Sequence, residues 1–286
     1  MYSKIIAGTM TWGSWGKQLS KIEMVKLMNH CLEAGISTFD HADIYGGYTN
    51  EADFGMAYMD SQIPREKIQL ISKCGIQYVC EARDNKVKHY NYSKDYIIWS
   101  VENSLRNLQT EYLDLFLLHR PSPLMQAEEV AVAIAHLKSS GKIKEFGVSN
   151  FTPSQIAMIE KALPVEANQV EFSLTAEGVM YDGTLDDTIA KGRTAMAWSP
   201  LGAYFREDNE RIKRIREQIK PFEQKYNADA SQLLLAWIMH HPSKIHPVVG
   251  TTDPGRLKKA MEAVEIQLEL EDWFALLTAS QGHKVP

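Results

Sequence analysis

The chain has 286 residues, 44% of them hydrophobic, and a formal net charge of -5 with no concentrated basic block. That composition excludes a disordered chain and gives no electrostatic footprint for a nucleic-acid partner. The three cysteines, Cys31, Cys74 and Cys80, match no zinc spacing and read as reduced thiols. No apolar run reaches the ~20 residues of a membrane span, and the polar start "MYSKIIAGTM" is no signal peptide, so a cytoplasmic protein without a membrane or metal partner is expected.

Short apolar runs then alternate with amphipathic helical stretches. "KIIAGT" reads as a strand and "SKIEMVKLMNHCLEAG" as a helix, with Ser20 and Glu23 forming a capping box and Gly35 as the stop. "ISTFD" is the second strand and "NEADFGMAYMDS" its helix; "KIQLISK" is the third. A long loop over 75–92 leads to the helix "SKDYIIWSVENSLRNLQ". "LDLFLLH" and "AEEVAVAIAHLKSSG" follow, then "IKEFGVS" and "TPSQIAMIEKAL", with Thr152 as N-cap and Pro153 at the first helical position. The sixth unit is "VEANQVEF" with "TLDDTIAKG", and the seventh is "TAMAWSP" with helices through 206–241. "IHPVVG", "DPGRLKKAMEAV" and a final "EDWFALLTAS" close the chain.

Eight strands, each a near-continuous apolar run and each followed by a helix, predict an α/β fold, a (β/α)8 TIM barrel spanning 1–286 as one domain. An open doubly wound sheet is the competing architecture, but "GTMTWGSWG" after the first strand is not its glycine fingerprint.

In a barrel the chemistry lies at the C-terminal strand ends. There the sequence places Gly8-Thr9-Met10, Asp40 with Tyr45 just beyond, Lys73, and His119 with Arg120. Further round come Ser149-Asn150, Gln169, Trp198-Ser199-Pro200 and Gly250-Thr251-Thr252. Asp40, Lys73 and His119 end three successive strands, with Tyr45 on the loop above them. An unperturbed tyrosine is a poor acid at neutral pH, an adjacent ammonium lowers its pKa, and a carboxylate holds that ammonium. With a histidine beside them, these groups form a proton donor for a developing alkoxide. Taken singly, a lysine or aspartate at a strand end is an ordinary surface or capping residue; four at neighbouring ends are not. His41 reads as a packed ring, and Asp43 as a turn former bonding the loop backbone.

These segments resemble the aldo-keto reductase family, its bacterial oxidoreductase branch in particular. "FDHADIYGG" is similar to the family's Asp-x-Ala-x-x-Tyr-Gly signature, "LISKCG" carries its lysine and "LDLFLLHRP" its histidine. "IKEFGVSNF" and "WSPLG" are similar to two further family segments, in the same order along the chain. The resemblance implies reduction of aldehydes and ketones by hydride transfer from NADPH, with no metal. It implies Tyr45 as general acid, Lys73 lowering its pKa, Asp40 holding Lys73, and His119 orienting the carbonyl.

It further implies that Trp198 stacks on the nicotinamide while Ser149, Asn150 and Gln169 bind the carboxamide. Gly8, Thr9, Met10, Ser199, Leu201 and Gly202 would line the cofactor, with Arg206 either over the phosphates or on the surface. Gly250, Thr251, Thr252 and Arg256 would receive the adenosine-side phosphates at a helix start. Ala260 and Gly250 depart from the family's usual Asn and Lys. Substrate-pocket candidates are Trp12, Tyr48, Tyr90 and Arg120, around a small-molecule carbonyl in a fairly open site. A monomer is expected. The competing functions are a non-catalytic NADP-binding regulatory subunit of the same superfamily and a lyase using Lys73 as a Schiff base; the Asp40 pairing argues against the lyase.

Overall fold

The computed structural model describes residues 2–286. Eight parallel strands close a barrel: β1 (Ile6–Gly8), β2 (Thr38–Asp40), β3 (Gln69–Cys74), β6 (Leu113–Leu118), β7 (Ile143–Ser149), β8 (Ala167–Glu171), β9 (Thr194–Trp198) and β10 (His246–Val249). Round the barrel they run β1-β10-β9-β8-β7-β6-β3-β2. The helices α1 (Lys21–Glu33), α2 (Asn50–Ser61), α3 (Lys94–Leu108), α4 (Ala127–Ser139) and α5 (Pro153–Ile159) cover one arc. The other arc carries α6 (Thr184–Lys191), α7 (Glu210–Tyr226), α8 (Ala230–Met239) and α9 (Pro254–Glu262), with α10 (Leu270–Gln281) ending the chain.

Local chemistry sets many of these ends. Ser20 and Glu23 form the capping box of α1, and Thr152, Pro153 and Gln155 start α5. That fifth helix is shorter than the sequence pattern suggests. It stops at Ile159, and Ala162 N–H then bonds the Ile159 carbonyl at 3.0 Å. Pro164 follows Leu163 and disfavours a helical conformation there. The 75–92 loop is not structureless either: β4 (Ile76–Gln77) and β5 (His89–Tyr90) pair antiparallel beside the barrel mouth.

Strand side chains alternate with a period of two, and this divides the core into two layers. Ile6, Ile71, Leu115, Leu117, Ala167, Met196 and Val248 fill the barrel lumen. Their sequence neighbours Ala7, Leu70, Phe116, Ala197 and Val249 pack outward under the helices. Full burial of a side chain of this size contributes roughly 1.5–3 kcal/mol. The same alternation carries the lumen-facing set two residues on, to Gly8, Lys73, His119, Gln169, Trp198 and Gly250. Among the described residues no helix is long and apolar enough to cross a membrane, and no three His, Cys, Asp or Glu side chains group as a metal site.

Candidate active site

Lys73 is the centre of the mouth. Its side chain is fully buried, and its ammonium donates to Asp40 Oδ2 at 2.7 Å, the His41 carbonyl at 2.8 Å and the Tyr45 hydroxyl at 3.1 Å. An ammonium has three protons, and all three are thereby used. Burial alone would lower the Lys73 pKa; Asp40 and Tyr45 outweigh it and hold the amine charged. Asp40 Oδ1 accepts from the Gln169 amide at 2.9 Å, so both carboxylate oxygens are bonded.

Tyr45 opens a single 3-10 turn, Tyr45–Gly47, in which Gly46 and Gly47 both have positive φ. Side-chain-bearing residues rarely adopt that conformation, so the two glycines let the chain fold away behind the phenol. Burial raises the Tyr45 pKa more than Lys73 lowers it, so the net direction is upward. The downward shift expected from the ammonium is present but loses to desolvation. His119 lies edge-on to Tyr45, with ring centroids 6.0 Å apart. Burial, then Lys73 and Arg120, hold its pKa well below the usual imidazole value, so the ring is neutral.

On the far side of the mouth Trp198 Nε1–H donates to Asn150 Oδ1 at 2.9 Å, and Asn150 Nδ2–H donates to Ser149 Oγ at 2.8 Å. Asn150 and Ser199 both take left-handed backbone conformations, with φ of 62° and 51°. The chain of bonds fixes the plane of the Trp198 ring, and the Arg120 guanidinium lies 5.0 Å from that ring's centroid.

A sequence-family model described as the Aldo/keto reductase family matches residues 4–279, nearly the whole chain. The chain belongs to the aldo/keto reductase family. It is 41% identical to the oxidoreductase YcsN of Bacillus subtilis, covering all of this chain and 96% of that one. Identity is 38% to oxidoreductase YdhF of Escherichia coli, again over all of this chain and 96% of the relative. A 6-dehydroglucose reductase of Agrobacterium fabrum is 38% identical over 89% of this chain and 86% of its own. Among solved structures, the thermostable aldo-keto reductase Tm1743 superposes with a TM-score of 0.81 at 27% identity, covering 96% of this chain and 94% of that one. Glycerol dehydrogenase AKR11B4 of Gluconobacter oxydans shares the fold, with a TM-score of 0.87 at 21% identity over 99% of this chain and 92% of its own. The protein is thus an NAD(P)H-dependent oxidoreductase of this family.

Several residues of this reductase lie elsewhere than the sequence suggests. Trp12 does not line the mouth: it is 1% exposed and packs edge-on against Phe39 and beside Phe54 in the outer core. Trp15, from the same loop, takes that place, 6.3 Å from the Tyr45 ring and 5.6 Å from Tyr78. Thr9 points into the barrel wall, because alternation turns it away from lumen-facing Gly8. Its hydroxyl donates to the Asp40 carbonyl at 3.0 Å and accepts from His41 Nδ1 at 2.9 Å. Met10 is exposed. Gly8 is crowded by the wall rather than by open space, since a Cβ there would come 3.1 Å from Val248 Cγ1.

Tyr48 is a tether. Its hydroxyl donates to the Ile76 carbonyl at 3.2 Å and accepts from Tyr78 N–H at 3.0 Å, and Arg83 covers its ring at 4.3 Å. Tyr90 is exposed on β5. Gly202 serves internal packing: a Cβ would strike Thr175 Oγ1 at 2.0 Å and Ser173 Oγ at 2.4 Å. Arg206 folds back to donate to the Gly202 carbonyl at 2.9 Å, and half-buried Leu201 packs against the core. At the start of α9, Asp253 Oδ1 accepts the Arg256 N–H at 2.9 Å, and Thr251 Oγ1 accepts from Asp253 N–H at 3.2 Å. Thr252 is half-buried, while Gly250 and the Arg256 side chain are exposed. Ala260 packs into the core.

The sequence also hides a second buried polar group. Asp43 does not serve its loop alone but reaches α3, accepting from Ser100 Oγ at 3.2 Å and Tyr96 Oη at 3.3 Å. Burial, and then nearby Glu51, push its pKa up to about 8. Glu51 accepts from Ser72 Oγ at 2.6 Å and is itself raised by burial. His41 packs T-shaped on Phe54, and burial followed by Lys73 lowers it to about 3.

Proposed function

We propose that this oxidoreductase reduces a carbonyl group to an alcohol with NADPH, Tyr45 supplying the proton. One observation carries the reading. The Tyr45 oxygen already accepts an N–H from Lys73 at 3.1 Å, so its own proton is free for a bound oxygen. Burial keeps that phenol protonated at neutral pH, as a donor must be. The fixed ammonium of Lys73 stabilises the phenolate left once the proton has gone, without reorganising. Asp40 keeps Lys73 charged and in place. Neutral His119 offers a ring N–H to the carbonyl oxygen.

The residues fit a nicotinamide dinucleotide. Trp198 offers a flat face whose plane Asn150 sets; Arg120 already covers part of that ring, so a nicotinamide uses the other face or displaces the guanidinium. Ser149 Oγ accepts from Asn150, which leaves its hydroxyl proton for a carboxamide oxygen. Gln169 Nε2 is taken by Asp40, which leaves its oxygen for a carboxamide nitrogen. Arg256 is the exposed cation for a 2′-phosphate. When bound, NADPH supplies the hydride.

Trp15 and Tyr78 wall the mouth beside Tyr45, which suits a carbonyl compound with a flat or apolar face. Two relatives, from Agrobacterium fabrum and Novosphingobium aromaticivorans, are named 6-dehydroglucose reductases, so sugar aldehydes belong with aromatic aldehydes on a substrate panel. Consumption of NADPH on that panel, followed by absorbance, tests the reading; bound NADPH with no turnover on any member refutes it. Tyr45→Phe should lower kcat by about 10²–10⁴-fold with cofactor binding intact. Arg256→Ala should weaken NADPH about 10-fold, the size of one charged hydrogen bond, and leave NADH unchanged; equal losses for both would remove Arg256 as the phosphate ligand.

A further inference from the structure

Asp40 is buried and has two carboxylate oxygens to satisfy. Lys73 takes one, and Gln169, only 2% exposed, takes the other at 2.9 Å. The two bonds come from opposite walls. In the ring β1-β10-β9-β8-β7-β6-β3-β2, β8 lies four strands from β2 in either direction. Gln169 therefore spans the lumen, and 129 residues of sequence separate it from Asp40. An ionised carboxylate only accepts, so the amide nitrogen, not the oxygen, must face Asp40. Among the described residues, the remaining N–H of that amide meets only the sulfur of Met196, at 3.9 Å.

The carboxylate is thus pinned at both oxygens, and its rotation is blocked. Lys73 depends on it, because Asp40 is the one anion among its three acceptors. Tyr45 depends in turn on Lys73 for the bond that aims its proton. A continuous run of contacts joins β8 to the phenol: Gln169 to Asp40, Asp40 to Lys73, Lys73 to Tyr45.

We propose that Gln169 is a positioning residue for proton donation, acting on Tyr45 through Asp40 and Lys73 in addition to any contact it makes with a cofactor. The proposal rests on the reading of Tyr45 as the donor. Gln169→Met keeps the length and removes the donor. At saturating NADPH its kcat should fall about 10- to 100-fold, the range for one hydrogen bond to a charged group. The double variant Asp40→Asn/Gln169→Met should lose no more than Asp40→Asn alone, since both changes break one chain of contacts. Losses that multiply overturn the proposal, as does an effect confined to the KM for NADPH.

Gln169→Glu gives a second readout, which stands even where the methionine variant does not fold. A protonated carboxyl can donate to Asp40 and an ionised one cannot, so the ratio of variant to parent kcat should fall as pH rises. A ratio flat with pH overturns the proposal. Tyr45→Phe, run alongside, separates the two readings. Retained reduction there removes Tyr45 as donor, while the double-variant comparison still reports whether Gln169 acts through Asp40.

Discussion

Asp40 and Asp43 stand three residues apart in one short stretch, and both are buried. They differ in what they meet. Asp40 turns into the lumen and finds an ammonium and an amide. Asp43 turns outward and finds two hydroxyls and, nearby, a second buried carboxyl. A buried carboxylate keeps its charge when a cation compensates desolvation; without one it holds its proton. The same residue type thus serves as a counter-ion on one side of the barrel wall and as a neutral acid on the other. Partner chemistry, not burial, separates them.

The largest effect is expected from Lys73→Met, which removes the cation beside Asp40 and leaves it, like Asp43, without one. Loss of one partner from a buried ion pair costs about 3–5 kcal/mol, and here it should also abolish reduction. Urea denaturation would read the first effect and the aldehyde assay the second. A variant as stable as the parent would mean that the pair contributes nothing to the fold.

Asp43→Asn removes the outer acid's titratable proton. The folded state holds the Asp43 proton up to about pH 8, whereas the carboxyl's ordinary value is 3.8. Between those values the unfolded chain binds fewer protons, so this group's contribution to stability falls as pH rises, by about 1.4 kcal/mol per pH unit. It is complete below the ordinary value and is lost by the time pH has passed through about 8. Urea midpoints of the parent should therefore decline from pH 6 to pH 8.5, and the asparagine variant should decline less steeply. Parallel curves would show that Asp43 is ionised throughout. The smallest effect is expected for Tyr96→Phe, which removes one hydroxyl from Asp43 at a cost of about 1 kcal/mol and leaves kcat unchanged. A large fall in kcat would tie the outer acid to the chemistry of the mouth.

Much of the barrel was legible because its signals are local. Strand β7 and helix α2 match their apolar patterns residue for residue, at Ile143–Ser149 and Asn50–Ser61. Lys73 and His119 are legible for the same reason: each follows an apolar run at the register that faces the lumen. Thr9 misled because a one-residue step reverses the facing side. Trp12 and Trp15 share a loop, and no periodicity tells which ring turns inward. Strands β4 and β5 are two residues each, too short for alternation to register. The Asp43 group left one visible trace: Ser100 and Ser104 lie on the buried face of α3 with Ile97, Val101 and Leu105, where polar side chains need partners. The bond from Gln169 to Asp40 has no local signature, because it exists only once the ring of strands has closed.

That closure has a consequence for the order in which the protein becomes functional. Asp40, Tyr45 and Lys73 lie within 34 consecutive positions of the first third of the chain. A nascent polypeptide carries this trio early, yet the opposite wall that supplies Gln169 is synthesised 129 residues after Asp40, and β10 closes the ring later still. Until then a lysine and an aspartate destined for the interior stay hydrated. Their dehydration belongs to the last, long-range stage of folding, where loop-closure entropy is greatest. Recovery of enzymatic turnover after dilution from denaturant should therefore lag behind recovery of helical signal.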